Sequence, residues 1–168
     1  MSAVRIFVPG DASALSLGAG RVAEAVAREA QARGVAIELV RNGSRGLYWL
    51  EPMVEVETAE GRIAYGPVSP SDVPALFDAG FTRGGAHALR IGRPEEHPYL
   101  KNQKRLAFGR VGVINPRSLD DYLATGGYRG LKLALGMTGE AVVEAVTRSG
   151  LRGRGGAAFP TKIGRAHV

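Results

Sequence analysis

A strand–helix–strand pattern at the start of the chain constrains its fold more than any other feature. Residues 4–8 form a β-branched and aromatic run that ends at a Pro-Gly-Asp turn. Apolar residues then repeat at helical spacing over 22–30, in a helix that Ser13 or Ser16 is expected to cap. A second apolar run at residues 35–40 completes the unit. The pattern predicts two parallel strands joined by a right-handed crossover.

The next segment predicts a hairpin and a short helix. Residues 53–57 alternate between two faces as a strand does, and residues 62–65 are the expected partner across Glu60-Gly61. A helix is predicted to open at Ser71 or Asp72. This order of elements over roughly 80 residues is typical of a thioredoxin-like α/β layer.

The second half is less regular. Residues 84–98 are rich in Gly, Arg, His and Pro, which predicts a linker or irregular segment. Residues 106–114 are predicted to be extended. Ser118 and Thr138 are expected to cap two helices, the first ending near Gly126-Gly127 and the second near Ser149-Gly150.

The chain contains no cysteine, and its positive charge is concentrated in the second half. The lack of cysteine excludes disulfides, thiolate metal sites and a cysteine nucleophile within these 168 residues. Residues 1–84 hold 8 Lys and Arg against 10 Asp and Glu, whereas residues 85–168 hold 14 against 6. A basic half favours an anionic partner such as phosphate, a nucleotide, nucleic acid or the acidic face of another subunit, with a solvated surface as the alternative.

Membrane and export signals are not evident in the sequence. No apolar run approaches the length of about 18 residues that a spanning helix needs. The first residues lead directly into a strand pattern, without the arrangement of a signal peptide. A cytoplasmic protein without a membrane span is the expectation.

The segment most informative for chemistry is a glycine- and arginine-rich stretch near the C-terminal end. Three glycines, Gly153, Gly155 and Gly156, stand within four positions and free the backbone for positive φ and for close approach to a ligand. Consecutive backbone N–H groups in such a loop form a concave anion site, to which Arg152 and Arg154 can add charge-assisted bonds. The stretch is neither a dinucleotide fingerprint nor a P-loop. By spacing alone, a basic surface turn or an RGG-like nucleic-acid contact stays open.

The stretch gains specificity from a resemblance. Residues 149–161 are similar to the flavin mononucleotide (FMN) loop of the NADH-binding flavoprotein subunits. This family includes the flavoprotein of respiratory NADH dehydrogenase, the diaphorase subunits of NAD-linked hydrogenases and the beta subunit of NAD-linked formate dehydrogenase. Residues 111–116 (VGVINP) and 126–128 (GGY) agree with the same family in order, so that the resemblance covers about residues 105–161.

The resemblance implies the site residues and cofactors. The residues implied to line the flavin phosphate and ribityl chain are Gly153, Arg154, Gly155, Gly156 and Ala157, and Phe159 is implied to lie near the nicotinamide nucleotide. FMN and NAD(H) are implied as cofactors of the full-length protein, and a [4Fe–4S] cluster only in its missing C-terminal part. In such enzymes the cofactors carry out the hydride chemistry and the protein positions them. No catalytic residue and no metal ligand is assigned to this chain.

The front of the chain narrows the choice within this family. Residues 1–83 resemble the thioredoxin-like [2Fe–2S] ferredoxin module that precedes the flavin domain in formate dehydrogenase beta subunits. The cluster cysteines of that module would fall near Pro9, Ala14, Ser44 and Tyr48, none of which is cysteine. The resemblance therefore implies a cluster-free module of the formate dehydrogenase beta type. It makes residues 84–104 a linker and residues 105–161 the truncated N-terminal part of an FMN/NADH-binding domain.

Residues 162–168 are predicted to be a non-native tail. The family pattern continues after Thr161 with Gly, an aliphatic residue, Lys and Trp, whereas this chain continues with KIGRAHV. The codons ATC GGA AGA GCA CAC GTC encode the residues from Ile163 to Val168 and match a common sequencing-library adapter. We therefore expect a truncated reading frame, in which Lys162 is not the family's flavin-site lysine.

Two classes of function follow from the sequence. The first is the N-terminal fragment of a flavoprotein subunit of an NAD-linked formate dehydrogenase, inactive alone, with a hydrogenase diaphorase or respiratory subunit as the runner-up. Its expected partners are NAD(H) and the other subunits of a hetero-oligomeric dehydrogenase. The second class is a thioredoxin-like binding module whose basic Gly/Arg segment contacts nucleic acid or an acidic protein, and nucleic acid is the less favoured partner.

Overall fold

The computed structural model describes residues 3–161, and the predicted tail lies outside these residues. Residues 3–125 form one compact unit, and residues 126–161 belong to a second. The strands are β1 (Val4–Phe7), β2 (Ile37–Val40), β3 (Val54–Thr58), β4 (Gly61–Tyr65) and β5 (Arg90–Gly92). The α-helices are α1 (Ala12–Ser16), α2 (Ala19–Ala32), α3 (Val73–Asp78), α4 (Leu119–Ala124), α5 (Arg129–Ala134) and α6 (Gly139–Arg148).

The five strands form one mixed sheet in the order β2-β1-β3-β4-β5. β1 and β2 are parallel, with Val4 opposite Ile37, and α2 connects them as predicted. β3 pairs antiparallel with both β1 and β4, and Thr58 and Gly61 close the predicted hairpin. A parallel βαβ unit followed by an antiparallel hairpin in this order is the thioredoxin-like arrangement, so the predicted α/β fold class is confirmed.

The main core lies between the sheet and its helices. α2 contributes Val22 and Val26, which are buried against sheet residues such as Ile6 and Val56. Beyond α3, Phe81 packs edge-on against Phe77 at 5.0 Å and against Tyr65 at 5.8 Å between ring centroids. Edge-to-face contacts are favourable because the positive edge of one aromatic ring meets the negative face of the other, and they hold Phe81 against the sheet.

The helix starts differ in detail from the prediction. Asp11, rather than Ser13 or Ser16, caps α1, because its carboxylate accepts the N–H groups of Ser13 and Ala14. α2 starts separately after Gly18, whose φ of 97° is accessible mainly to glycine. The predicted caps Ser118 and Thr138 are confirmed, with hydroxyls that accept the N–H groups of Asp121 and Ala141 at 3.1 and 3.2 Å.

Residues 84–98 are more ordered than the composition predicts. Residues 90–92 form the edge strand β5, opposite Ala64 and Tyr65 of β4. Leu89 packs against the main core, while Ile91 and Leu100 pack against a smaller cluster on the other face of the sheet. The prediction of a linker or irregular segment is therefore wrong for residues 90–92, because apolar residues spaced between the glycines and prolines anchor this part of the chain to the sheet. The predicted domain limits of 1–83, 84–104 and 105–161 stay a prediction.

The prediction of an extended segment at residues 106–114 is wrong. Residues 107–113 form consecutive turns, with bonds such as Val113 N–H to the Arg110 carbonyl at 3.0 Å. Asn42 Nδ2 donates to the Gly112 carbonyl at 2.8 Å, and Arg62 donates to the Val113 carbonyl at 2.7 Å. These bonds to distant side chains hold the backbone in turns instead of a strand.

Gly112 lies close to Arg45, with no room for a side chain between them. Its φ is 78°, and a Cβ at this position would lie 2.5 Å from Arg45 Cδ and 3.1 Å from Arg45 Cα. We expect Gly112→Ala to lower the free energy of unfolding by about 2–3 kcal/mol, because strain at positive φ adds to overpacking. Urea denaturation followed by circular dichroism measures this change.

Gly34→Ala is the matched control for Gly112→Ala. Gly34 also has positive φ, at 65°, but a Cβ there meets nothing within 4 Å. We expect a loss of only about 1 kcal/mol, from backbone strain alone. Equal losses in the two variants would contradict the close contact between Gly112 and Arg45.

The second unit consists of α5, α6 and a loop at residues 151–161. Its helices bury no residue fully. In residues 126–161 the only buried residue is Gly127. Within residues 3–161, no helix reaches the length and apolar character that a bilayer crossing requires.

Candidate functional site

The predicted glycine-rich loop is a short closed hairpin. Arg152 and Pro160 form an antiparallel bridge. Gly153 N–H donates to the Phe159 carbonyl at 2.8 Å, and the Thr161 hydroxyl donates to the Leu151 carbonyl at 2.6 Å. These bonds close the base of the loop and leave residues 154–157 at its tip.

The tip presents free backbone donors. Among the residues that the structure describes, none accepts a hydrogen bond from the N–H groups of Arg154, Gly155, Gly156 and Ala157. All four residues are exposed. Successive unpaired N–H groups on an exposed turn are the donors that an anion requires.

The glycines differ in what they contribute to the loop. Gly156 has a φ of 109°, and Ala158 also takes positive φ at 51°. Gly153 and Gly155 do not use the left-handed region. A Cβ at Gly155 or Gly156 would meet nothing within 4 Å, and one at Gly153 would make only ordinary contacts. Packing within the described chain therefore does not require glycine at Gly155, and the open space beside it is available to a ligand.

The two arginines of the loop have different surroundings. Arg152 Nε donates to the Ala158 carbonyl at 2.7 Å and so helps to hold the loop closed. The guanidinium of Arg154 makes no hydrogen bond or ion pair with any residue in the described range. Phe159 exposes 67% of its surface, which leaves its ring face accessible.

A cavity of about 300 Å³ lies at the base of this loop rather than at its tip. Its lining residues are Val146, Thr147, Gly150, Leu151, Arg152, Pro160 and Thr161. The predicted site residues from Gly153 to Ala157, and Phe159, are not among them. The structure thus gathers the predicted residues on one exposed turn but does not enclose them.

Asp11 accepts hydrogen bonds from two of the positions at which the resemblance places cluster cysteines, Ala14 and Ser44. Asp11 accepts the Ser44 N–H at 2.8 Å, which ties the turn after β1 to the turn after β2. Ser44 donates its hydroxyl to Glu51 at 2.7 Å. Burial acts to raise the pKa of Asp11, but hydrogen bonds from Ser13, Ala14 and Ser44 outweigh it and lower the pKa. Of the other aligned positions, Ala14 is buried and Tyr48 is exposed.

Glu51 is a buried carboxylate whose ionisation is disfavoured. Burial raises its pKa, the nearby charges of Asp11 and Glu55 add to this, and hydrogen bonds from Ser44 and Met53 only partly oppose it. A pKa raised in the folded state contributes stability below the ordinary pKa of the group and loses it as the pH rises through the folded value.

We expect the neutral variant Glu51→Gln to gain stability relative to the unmodified chain as the pH rises from about 4 to 8. The reason is that Gln carries no charge to be desolvated at any pH. The difference in free energy of unfolding, measured by urea denaturation across this range, tests the expectation. Glu60→Gln on the exposed hairpin turn is the control, and a pH-independent difference for Glu51→Gln would contradict the raised pKa.

A buried ion network lies on the second face of the sheet, and the sequence pattern did not indicate it. Arg45 and Glu55 are 6% and 1% exposed. The guanidinium donates two hydrogen bonds to the carboxylate, from Nε to Oε1 at 2.8 Å and from Nη2 to Oε2 at 2.7 Å. Arg62 reaches the same carboxylate at 3.4 Å and lies 3.4 Å above the ring of Phe7. Desolvation lowers the pKa of Arg62, whereas hydrogen bonds and the charge of Glu55 offset burial and raise the pKa of Arg45. The alternation of Glu55 with apolar neighbours predicted which face of the strand it occupies. No local feature of the sequence predicted that this face is buried at Glu55.

Comparison with protein-family models finds no match. Part of the chain is similar to curated proteins. The NADP-reducing hydrogenase subunit HndC of Solidesulfovibrio fructosivorans is 57% identical over 63 residues, which is 38% of this chain and 13% of that protein. A subunit of the NADH-quinone oxidoreductase of Aquifex aeolicus (strain VF5) is 54% identical over 63 residues, which is 38% of this chain and 15% of that protein. The chain thus matches only a small share of these oxidoreductase subunits.

Solved structures of a thioredoxin-like [2Fe–2S] ferredoxin from Aquifex aeolicus are also similar to the chain. One is 20% identical with a TM-score of 0.45, and covers 55% of this chain and all of that protein. Another is 19% identical with a TM-score of 0.46, and covers 58% of this chain and 98% of that protein.

Proposed function

We propose that the chain is the N-terminal part of a flavoprotein subunit that transfers electrons between NAD(H) and iron–sulfur clusters by way of FMN. The observation that carries this proposal is the row of free N–H groups at residues 154–157. It is supported by 54–57% identity, over 63 residues, to subunits of a hydrogenase and of an NADH-quinone oxidoreductase. We further propose the domain limits predicted above, with residues 105–161 as the start of the flavin domain. The cytoplasmic location and the other subunits of a dehydrogenase as partners stay predictions.

The residues of the loop tip fit the phosphate end of a flavin nucleotide. In this proposal the N–H groups of Gly155, Gly156 and Ala157 donate to the phosphate, and Arg154 supplies a compensating positive charge. The ring of Phe159 is accessible to pack against the nicotinamide nucleotide. The open space beside Gly155 allows the phosphate to approach the backbone. Bound at this loop, FMN would supply the hydride and single-electron chemistry, while the residues of the tip would hold its phosphate.

Three types of holoenzyme are candidates. The front module, which contains no cysteine, favours the beta subunit of an NAD-linked formate dehydrogenase. The identities of 57% to a hydrogenase subunit and 54% to an NADH-quinone oxidoreductase subunit, each over 63 residues, favour a hydrogenase diaphorase subunit or a respiratory subunit. Reduction of FMN by NADH is common to all three, and the electron donor or acceptor on another subunit distinguishes them.

The test uses the full-length polypeptide expressed from genomic DNA that contains this reading frame, with FMN titrated by flavin fluorescence. We expect Arg154→Ala to weaken FMN binding by about 10- to 100-fold, since a hydrogen bond to a charged group contributes about 1.5–3 kcal/mol. We expect Gly155→Ala to weaken binding similarly while leaving thermal stability unchanged, because a Cβ there meets no described residue within 4 Å and would occupy the space proposed for the phosphate.

Arg148→Ala is the matched control, because Arg148 is an exposed arginine outside the loop, 3.8 Å from Glu144. It should leave FMN affinity unchanged. Absence of FMN binding by the complete polypeptide would refute the proposal. Unchanged affinity in both loop variants would place the flavin elsewhere.

A further inference from the structure

The first unit exposes an apolar surface at the turn of residues 48–50. We call this surface the apolar patch, and its members are Tyr48, Trp49, Tyr99, Leu106, Phe108 and Val111. Leu106 exposes 96% of its surface and Phe108 exposes 67%. Single exposed apolar residues need no explanation, but a group of large ones on one surface marks a site of interaction.

The fold forces the first two members of the patch outward. Leu47 is fully buried, and it packs with Leu50 and Met53 on the second face of the sheet. Residues 48–50 form a 3₁₀ turn, in which residues three apart share a face. Since Leu47 and Leu50 occupy the inner face, Tyr48 and Trp49 project toward solvent, where they are 60% and 57% exposed.

Residues next to the other patch members contact the sheet and the small cluster around Leu47. Trp49 meets the ring of Tyr99 edge-on, with centroids 5.2 Å apart. Leu100, next in the chain, packs into the small cluster around Leu47. The guanidinium of Arg105, next to Leu106, donates to the Arg45 carbonyl at 3.0 Å, in the turn after β2. Trp49 and Tyr99 are thus positioned before binding, which reduces the entropy that they lose on association.

A groove of about 390 Å³ runs through the patch. Tyr48, Leu106, Phe108 and Val111 line it together with Lys104 and Arg105. The apolar walls are themselves exposed to solvent, whereas sites for small molecules enclose most of the ligand surface. The shape therefore fits a side chain presented by a larger partner.

The charge around the groove is positive. Lys101 and Lys104 form no ion pair with any residue of the described range, and both are exposed. A second groove shares Arg45 and Arg105 with this one and also contains Glu95. The Glu95 carboxylate is paired with Arg45 at 3.1 Å. A partner with carboxylates around an apolar centre would complement this surface in charge.

We propose that the apolar patch docks an acidic protein partner, whose Leu or Phe side chains enter the groove while flanking Asp and Glu face Lys101 and Lys104. Aliphatic members such as Leu106 and Val111 offer no face for base stacking, and apolar centres are typical of protein interfaces. Three members of the patch, Leu106, Phe108 and Val111, lie in the segment proposed as the start of the flavin domain. The test below measures peptide binding and not FMN binding, so failure of this inference and failure of the proposed function are distinguishable.

Three fluorescein-labelled peptides test the inference on the 168-residue chain. They share the same Leu and Phe residues, which are flanked by Asp and Glu, by Ser, or by Lys and Arg. Fluorescence anisotropy should show the acidic peptide binding at least ~10-fold more tightly than the Ser peptide, with an affinity that falls as salt is added. Phe108→Ser and Lys104→Glu should each weaken the acidic peptide by about 10-fold or more.

Leu17→Ser is the control, because Leu17 is 51% exposed at the end of α1 and is not part of the patch. It should leave binding unchanged. Equal affinity for the three peptides, no binding at all, or no effect of Phe108→Ser would overturn the proposal. Binding of an oligothymidylate that depends on Phe108 would instead assign the patch to single-stranded nucleic acid.

Discussion

Arg45→Met is expected to lower the free energy of unfolding of the first unit by about 3–5 kcal/mol. The substitution leaves Glu55, which is 1% exposed, with only the longer 3.4 Å contact to Arg62. A buried carboxylate without its bidentate partner bears most of its desolvation cost uncompensated. Urea denaturation at neutral pH, followed by circular dichroism, measures the loss.

Two further variants separate this cause from others. Arg5→Met removes a partly exposed arginine that pairs with Glu38 and Glu57 on the same sheet, and it should cost about 0–1 kcal/mol. The double variant Arg45→Met with Glu55→Met should recover a large part of the loss, since no orphaned carboxylate is left. A loss below about 1 kcal/mol for Arg45→Met would show that the network is not buried as described.

The second large effect concerns hydrogen exchange in the 168-residue chain. Backbone amides of residues 126–161 are expected to exchange with protection factors below about 10, while those of β1, β3 and β4 exchange only through unfolding of the first unit. Among the described residues of the second unit only Gly127 is buried, and its helices have 6 and 10 residues. Helices this short are marginal in water without tertiary packing.

Exchange measured by mass spectrometry on peptic fragments checks this expectation. Leu131, Leu133 and Leu135 are 52%, 66% and 78% exposed, so a longer polypeptide with the proposed function has apolar surface here to cover. In that polypeptide the same amides should become protected. Slow exchange of residues 126–161 in the 168-residue chain would contradict the lack of a core.

The same reasoning bears on the glycine loop. A loop that the rest of the molecule does not hold must be ordered when it binds, and that cost lowers affinity. The free N–H groups of residues 154–157 therefore indicate the kind of ligand, an anion, more than its affinity in this chain. For this reason the flavin test requires the complete polypeptide.

Local sequence determined the framework of the first unit and one helix start of the second. The apolar periods of β1, α2 and β2, the hairpin at Glu60-Gly61 and the caps at Ser118 and Thr138 were all predictable, because each depends on neighbouring residues along the chain. The glycine and arginine spacing of residues 152–156 likewise identified the candidate loop, and the structure gathers those residues on one turn.

Tertiary structure alone decided which polar residues are buried and which apolar ones are not. Alternation placed Glu55 on one face of β3, but its burial depends on Arg45 and on the turns near Gly112, far away in sequence. Phe108 lies in a segment whose pattern predicts an extended strand, yet bonds from Asn42 and Arg62 to the following turns leave it in solvent. Periodicity reports how a segment divides into faces, whereas the covering of each face depends on contacts between residues that are distant in the sequence.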